Sequence, residues 1–270
     1  MTSTNRTVAE KGKVYLVGAG PGDPELLTVK ALRLLQSADI VLHDDLVPEA
    51  LLKLIHAHAL VTSVGKRCGR PRITQAGIHA LMIDSARHGL SVVRLKSGDP
   101  LIFGRAAEEL AALGEAGIPV EVVPGITAAF AAGAALGLPL TDRKAASKLI
   151  FVTGHHAADK APGVPAWSGP LPEDATLVVY MPGRDFTLLV GDLVRAGVAA
   201  DMPCVAISRA ATPRQSHVGC RLAELARLQC GPAPVLLLIG RAMEPALASD
   251  AADVVASVVE MGYPLPPSLK

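Results

Sequence analysis

A predicted strand that ends in closely spaced glycines is the first feature suited to ligand binding. In the segment VYLVGAGPGDPELL, Gly18, Gly20 and Gly22 give the spacing GxGxG. Dinucleotide-binding turns use GxGxxG and present backbone N–H groups to a pyrophosphate. Here Pro21 removes one N–H group, and Asp23 adds negative charge where a pyrophosphate would lie. The turn therefore suits either a nucleoside without phosphate, such as S-adenosylmethionine, or a purely structural connection between strand and helix.

A second turn follows the predicted strand in RLKSGDPLIFGRAAEEL. Gly98 permits close backbone approach, and Asp99 offers an acceptor for an ammonium group or for ribose hydroxyls. Because open α/β sheets bind ligands at the carboxyl ends of their strands, we expect both residues near a ligand. The alternative is that Asp99 only caps the following helix. Arg105 and Glu108 lie three positions apart, so they either form an exposed pair or face a cleft.

Small residues and basic residues mark two further candidate regions. Thr127 and Ala128 begin a helix of small side chains after the turn Pro124-Gly125, where a ligand or another helix could pack closely. Basic residues gather near predicted strand ends, where they either belong to solvated loops or bind a polycarboxylate. They are Lys66, Arg67, Arg70, Arg72, Arg143 and Lys144.

The overall charge balance favours no large charged partner. The chain of 270 residues has 26 basic and 25 acidic residues and a formal net charge of +1. This predicts neither nucleic-acid binding nor a membrane-seeking surface. No apolar run reaches the roughly 20 residues that span a bilayer, and MTSTNRTVAEKGK lacks a signal-peptide core. We therefore expect a cytoplasmic protein.

Cysteine and histidine spacing does not predict a metal site. The four cysteines form no CxxC pair. The histidines also lack ligand spacing, since His56 and His58 lie two positions apart and His155 and His156 are adjacent. The expectation is that no metal is bound.

Hydrophobic patterning predicts an α/β protein with two domains. Short β-branched segments alternate with Ala/Leu-rich helical segments, as in parallel sheets with crossover helices. The first half contains KVYLVG, DIVLHD, LVTSVG, SVVRLKSG and PVEVVPG, and the second contains KLIFVTGH, ATLVVYM, PCVAISRA and PVLLLIG. The polar, proline-containing segment GLPLTDRKAAS suggests a boundary near residue 142. The predicted domains are 12–142 and 143–245, with a helix or tail over 246–270.

The ordered set of motifs resembles the tetrapyrrole methylase family. The motifs are LVGAGPGDPELLTVKALRLL, VLHDDLV, VGKRCG, RLKSGDPLIFGRAAEE, VPGITAA, PLTDR, TLVVYMPGR, AATPRQ and APVLLLIG, and they cover residues 12 to about 243. Two motifs depart from the family pattern, which more often has GGDP and GRGGEE. Ser97, Ala106 and Ala107 replace glycines there.

The resemblance implies a homodimeric enzyme whose two α/β domains enclose the ligand cleft between them. It implies that S-adenosylmethionine methylates uroporphyrinogen III at C2 and C7, giving S-adenosylhomocysteine and precorrin-2 for sirohaem, cobalamin or haem d1 synthesis. Because the first strand begins near residue 13, we expect methyltransferase activity without the dehydrogenase domain of bifunctional relatives. Alternatives are a methylase of a later corrin intermediate, an rRNA-modifying methylase of the same superfamily, and a nucleotide-binding oxidoreductase.

Matching positions imply roles for individual residues. Asp44 of HDD corresponds to a proton acceptor, and Lys66 of GKR corresponds to a proton donor. Arg105 is a third catalytic position. The implied substrate-binding residues are Arg105, Glu108, Arg143 and Met181. The methyl-donor contacts implied are Pro21, Ser97, Gly98, Asp99, Ile102, Thr127, Ala128, Met181 and Ala210.

Overall fold

The computed structural model describes residues 8–65, 73–154 and 170–247. Internal contacts divide the chain into two compact units, and the division falls between Ala128 and Ala129. Each unit contains one five-stranded sheet with helices between strands. The predicted α/β class is therefore confirmed.

The first sheet contains the strands β1 (Val14–Gly18), β2 (Ile40–His43), β3 (Leu60–Ser63), β4 (Val92–Lys96) and β5 (Val120–Val123). The strand order is β3-β2-β4-β1-β5. The central strands β1, β2 and β4 are buried along their whole length, as expected where helices cover both faces, whereas Leu60 and Val61 of the edge strand β3 are exposed. Because all neighbouring strands pair in parallel, their carboxyl ends lie at one edge.

Helices cover both faces of this sheet. They are α1 (Val29–Leu35), α2 (Glu49–Leu52), α3 (Gln75–Arg87) and α4 (Ala106–Glu115). Tyr15 and Val17 of β1 pack in the core that contains residues of α1 and α2. Val14 and Leu16 alternate to the opposite core, which contains residues of α3 and α4. The sheet is therefore doubly wound.

Strand order places a topological switch point between β1 and β4. The connection that leaves β1 crosses β4 to reach β2, whereas the connection that leaves β4 crosses β1 to reach β5. These neighbouring strands thus send their connections in opposite directions. In doubly wound sheets, ligands bind beyond the carboxyl ends of such a pair.

The predicted domain boundary near residue 142 differs from the division in the structure because of helix α5 (Ala128–Leu136). Phe130 of this helix contacts Phe151 with ring centroids 6.1 Å apart, and Phe151 contacts Tyr180 at 5.6 Å. The Ala129 N–H also donates to the Tyr180 hydroxyl over 3.2 Å. Proline and polar residues mark the loop after α5, but packing assigns most of α5 to the second unit.

The elements of the second unit after α5 are β6 (Lys148–Thr153), β7 (Ala175–Tyr180), α6 (Thr187–Arg195), β8 (Pro203–Ser208), β9 (Ser216–Arg221), α7 (Leu222–Leu225) and β10 (Val235–Ile239). Its sheet is mixed, with the strand order β6-β7-β10-β8-β9. Neighbours β6 and β7 pair in parallel, and the other neighbours are antiparallel. Since β7 and β8 are both antiparallel to β10, they run in the same direction.

Two local predictions differ from the structure. The Ala/Leu-rich pattern of PELLTVKALRLLQSA predicts one helix. The structure instead has a 3-10 helix, Pro24–Leu26, and then α1, because the Thr28 side chain caps a new helix start by accepting the Ala31 N–H. Strand β9 was not predicted, since SHVGCR lacks strong alternation and is ordered by pairing with β8. Within residues 8–65, 73–154 and 170–247, no helix has the length and apolar character to cross a bilayer.

Asp39 fixes the starts of β2 and β4 through hydrogen bonds. Its Oδ2 accepts the Ser91 N–H at 2.7 Å and the Ser91 hydroxyl at 2.6 Å, while Oδ1 pairs with Lys11 at 2.6 Å. The Lys11 ammonium and then Ser91 lower the pKa of Asp39 to about 2. The ionised carboxylate therefore stabilises the fold above its ordinary pKa, and this contribution is lost as pH falls towards about 2.

Replacing Asp39 by Asn should lower the free energy of unfolding at pH 7 by about 1–2 kcal/mol. The loss should shrink between pH 4 and pH 2, because the wild-type carboxylate becomes protonated there. Urea unfolding of both proteins across this pH range measures the effect. An equal difference in unfolding free energy at pH 7 and pH 2 would contradict the assigned role.

Candidate active site at the sheet edge

Three glycines bring the loops after β1, β4 and β5 into backbone contact. A Cβ atom at Gly18 would lie 2.5 Å from the Gly125 Cα and 2.7 Å from the Gly98 oxygen. A Cβ at Gly125 would lie 2.8 Å from the Gly18 Cα. Real Cβ atoms do not approach other heavy atoms this closely, so only glycine fits. The contact lies at the switch point and packs backbone directly against backbone there.

Reciprocal hydrogen bonds fix the first two loops. The Gly20 N–H donates to the Gly98 oxygen at 3.1 Å, and the Gly98 N–H donates to the Gly20 oxygen at 2.8 Å. Gly20 and Gly98 have φ of +69° and +67°, in the region that favours glycine. The GxGxG turn is thus joined to the SGDP turn through its middle glycine.

Asp99 links the second loop to the third. Its Oδ1 accepts the Leu101 N–H at 2.8 Å, and its Oδ2 accepts the Gly125 N–H at 3.0 Å. The carboxylate therefore shapes the loops that a ligand would meet. Its predicted contact with an ammonium group or ribose stays a prediction.

The other predicted methyl-donor residues of the first unit lie in these same loops. Pro21 follows β1, while Ser97 and Ile102 follow β4. The Ile102 N–H donates to the backbone carbonyl oxygen of Asp99 at 3.3 Å. Thr127, which is buried, and Ala128 follow β5. Widely separated sequence segments are therefore brought to one edge of the sheet.

Asp44, the predicted proton acceptor, directly follows β2 at this edge. Its Oδ1 accepts a hydrogen bond from Arg94 Nη2 at 2.5 Å, and its side chain retains 31% exposure. Neighbouring Asp45 accepts a hydrogen bond from the Ser63 hydroxyl at 3.3 Å. The two carboxylates of HDD thus have different environments, and Asp44 pairs with a buried guanidinium.

Arg94, Lys96 and Glu109 were missed as site residues by sequence reasoning. Glu109 is fully buried and accepts Arg94 Nε at 3.0 Å and Lys96 Nζ at 2.8 Å. The sequence contained a signal, because Arg94 and Lys96 alternate on one face of an otherwise apolar strand. Charges at such positions are almost never buried unless paired.

Arg105 and Glu108 form a two-hydrogen-bond ion pair at the start of α4. Arg105 Nε and Nη2 donate to the two Glu108 oxygens at 2.7 and 2.6 Å, and both side chains are about half exposed. The hydrogen bond from Arg105 lowers the pKa of Glu108, and the same bond raises the pKa of Arg105. Arg105 has φ +57°, an uncommon conformation for a residue with a side chain.

In the second unit, Met181 and Ala210 follow the carboxyl ends of β7 and β8. Since these strands run in the same direction, both residues lie at one edge of the second sheet. Met181 has φ +49° and is 46% exposed. Buried Ala210 lies between Arg209 and Ala211, whose φ values are +51° and +55°. Residues in such strained conformations cluster at functional sites, which supports a binding role for both turns.

One predicted site residue is placed differently from the others. Arg143 is exposed in the turn that precedes β6, where Asp142 Oδ1 accepts the Lys144 and Ala145 N–H groups at 2.8 Å each. Arg143 therefore lies before the amino end of β6, whereas Met181 and Ala210 lie after the carboxyl ends of β7 and β8. Lys66 lies outside the described residues. Among the residues that the structure does describe, no group of three or more His, Cys, Asp or Glu could hold a metal.

Comparison with known proteins identifies the family. The model of the Tetrapyrrole (Corrin/Porphyrin) Methylases matches residues 13–226. The chain belongs to the tetrapyrrole methylase family. The matched region contains every segment of the sheet edge described above.

The chain covers different shares of the length of individual family members. The chain is 44% identical to a uroporphyrinogen-III C-methyltransferase from Paracoccus denitrificans over 92% of this chain and 86% of that protein. It is 43% identical to siroheme synthase 1 of Klebsiella pneumoniae, covering 87% of this chain but only 50% of that protein. The chain thus spans about half the length of the latter.

A solved family structure matches over nearly its whole length. It is a uroporphyrin-III C-methyl transferase from Thermus thermophilus complexed with S-adenosyl homocysteine, 41% identical, with a TM-score of 0.73. The alignment covers 86% of this chain and 99% of that chain.

Replacing Gly125 by Ala should disrupt the three-glycine contact, because the new Cβ meets the backbone of Gly18 and Gly98. We expect a loss of about 1–3 kcal/mol in unfolding free energy and weaker binding of S-adenosylhomocysteine. Chemical denaturation and calorimetric titration measure the two effects.

Gly114→Ala in α4 is the matched control, since a Cβ there meets nothing within 4 Å. It should leave binding unchanged and stabilise the helix by about 0.5–1 kcal/mol. Equal stability and equal ligand affinity for Gly125→Ala and the wild type would show that the edge tolerates a side chain.

Proposed function

We propose that this protein transfers methyl groups from S-adenosylmethionine to uroporphyrinogen III. Methylation at C2 and C7 gives precorrin-2, a precursor of sirohaem, cobalamin and haem d1. The observation that supports this proposal most strongly is the three-glycine contact at the switch point of the first sheet. The names and coverage of the relatives support the choice of substrate.

The described residues fit S-adenosylmethionine as the methyl donor. Because Gly18 and Gly125 carry no Cβ, the loops after β1, β4 and β5 pack backbone against backbone at the switch point, and a nucleoside can bind beyond this edge. The turn lacks one N–H donor at Pro21 and carries a negative charge at Asp23, and both features disfavour a pyrophosphate and hence a dinucleotide. When bound, S-adenosylmethionine supplies an electrophilic methyl group on a sulfonium.

The protein's main task in this reaction is alignment. A reduced pyrrole is electron-rich, and its β-carbon attacks the methyl group without a protein nucleophile. Holding donor and acceptor in near-attack geometry can contribute about 7–11 kcal/mol to lowering the barrier. Ser97, Gly98, Asp99, Ile102, Thr127 and Ala128 provide the donor side in the first unit, and Met181 and Ala210 provide it in the second.

After methyl transfer, the macrocycle must lose a proton to restore conjugation. Asp44 is suited to accept it, because its carboxylate is partly exposed at the sheet edge and hydrogen-bonded to Arg94. Arg105 cannot readily act as a base at neutral pH, since a guanidinium stays protonated. Arg105, oriented by Glu108, and Arg143 bind substrate carboxylates instead, and Lys66 either binds a carboxylate or donates a proton.

The proposal includes a homodimer in the cytoplasm with no nucleic-acid or membrane partner. The family resemblance implies the dimer, and the near-zero net charge supports the absence of polyanionic partners. Light scattering coupled to gel filtration measures the mass in solution. A monomer that retains full activity would contradict this part of the proposal.

Mass spectrometry after anaerobic incubation with uroporphyrinogen III and S-adenosylmethionine tests the function. We expect a protein-dependent gain of two methyl groups and an equivalent yield of S-adenosylhomocysteine. A protein that binds the donor but methylates only a later corrin intermediate or RNA would contradict the substrate assignment. No binding of the donor would contradict the proposed site itself.

Asp44→Asn should lower kcat by about 100-fold or more, because general-base contributions are of this size. Substrate KM should change little, since the amide keeps the shape of the side chain. Steady-state kinetics with uroporphyrinogen III measures both parameters.

Asp45→Asn is the matched control, because it removes the adjacent carboxylate, which accepts a hydrogen bond from the Ser63 hydroxyl, whereas Asp44 accepts from Arg94. Its kcat should stay within about threefold of the wild type. Unchanged turnover for Asp44→Asn would exclude Asp44 as the proton acceptor.

A further inference from the structure

We propose that Arg94 is a positioning residue that holds the Asp44 carboxylate in the orientation needed for proton transfer. This inference rests on the proposed function, in which Asp44 is the proton acceptor. Arg94 belongs to β4, Asp44 follows the neighbouring strand β2, and their side chains meet at the carboxyl edge of the first sheet.

The Arg94 guanidinium is fixed by acceptors on all three nitrogens. Nε donates to Glu109 Oε1 at 3.0 Å, and Nη1 donates to the Leu42 and Leu95 oxygens at 3.3 Å each. Nη2 donates to Asp44 Oδ1 at 2.5 Å. The side chain is only 4% exposed, so it has little freedom to move. A planar fork held at several points fixes the direction of its last donor.

Glu109 of α4 connects this guanidinium to a second buried cation. Its side chain is 0% exposed, and its Oε2 accepts Lys96 Nζ at 2.8 Å. Gln75 of α3 also donates to Oε1 at 3.4 Å. The cluster of Asp44, Arg94, Glu109 and Lys96 contains two cations and two anions, so its formal charges balance.

Exposure distinguishes Asp44 from the other charged members of the cluster. Arg94, Lys96 and Glu109 are at most 4% exposed, whereas the Asp44 side chain is 31% exposed. Buried ion pairs are weak evidence for stability, because apolar residues of similar volume often stabilise a fold equally well. A rigid buried array that ends at one accessible carboxylate is better suited to orienting that carboxylate.

Arg94→Lys preserves the charge but removes the planar fork, so one ammonium cannot reproduce the contacts with both carboxylates and both carbonyls. We expect kcat to fall by about 10- to 100-fold, since small misplacements of reacting groups have effects of this size. The KM for S-adenosylmethionine should remain unchanged. Thermal unfolding and S-adenosylhomocysteine binding verify that the variant is folded.

A double-mutant cycle with Asp44→Asn tests whether Arg94 acts through Asp44. The double variant should have a kcat within about threefold of Asp44→Asn alone, because the orientation of an absent base no longer matters. Lys96→Gln is the comparison variant, since Lys96 contacts the same Glu109 with similar burial but is one contact further from Asp44. Its coupling to Asp44→Asn should be weaker than that of Arg94→Lys, because Lys96 reaches Asp44 only through Glu109 and Arg94.

Arg94→Gln is a second variant for which the same fall in kcat and the same double-variant result are expected. Its side chain keeps most of the buried aliphatic part of arginine. Multiplying effects of Asp44→Asn and either Arg94 variant would overturn the positioning role, as would a wild-type kcat for Arg94→Lys. The wild-type protein is assayed first. Absence of methyl transfer by the wild type would refute the proposed function itself, separately from the role of Arg94.

Discussion

Backbone contact among Gly18, Gly98 and Gly125 is the constraint on which the candidate site depends. It brings the ends of β1, β4 and β5 together without an intervening side chain, and the Gly20–Gly98 hydrogen bonds and Asp99 then fix the loops. A side chain at Gly18 or Gly125 would separate loops that must converge on one ligand. The glycines therefore specify the shape of the edge.

A buried charge cluster lies beside this glycine edge. Removing one partner of a buried ion pair costs about 3–5 kcal/mol, because the remaining charge has no compensation. The cluster has this sensitivity at Glu109, where Arg94 and Lys96 share a single carboxylate. The chain thus combines an apolar, doubly wound core with a polar array that ends at an accessible carboxylate. Binding of the donor and acceptance of the proton are assigned to adjacent parts of one edge.

Much of this organisation could be predicted from local sequence. All five strands of the first sheet were predicted because β-branched runs end at glycine, aspartate or proline turns. The grouping of SGDP with GAGPGD at one edge followed from parallel topology. Long-range packing was harder to predict. The composition of GLPLTDR marks a loop, but it does not show that Phe130 packs against Phe151 in the second unit. Likewise, alternating Arg94 and Lys96 signal a buried partner without showing that Glu109 and Asp44 supply it.

The central claim is that the glycine edge of the first sheet binds the methyl donor. A crystal structure of the protein with S-adenosylhomocysteine tests this claim most directly. The account predicts that the nucleoside lies against the backbone at Gly98 and Thr127, with no side chain between it and the three-glycine contact. Ligand bound away from the carboxyl edge of the first sheet would contradict the account.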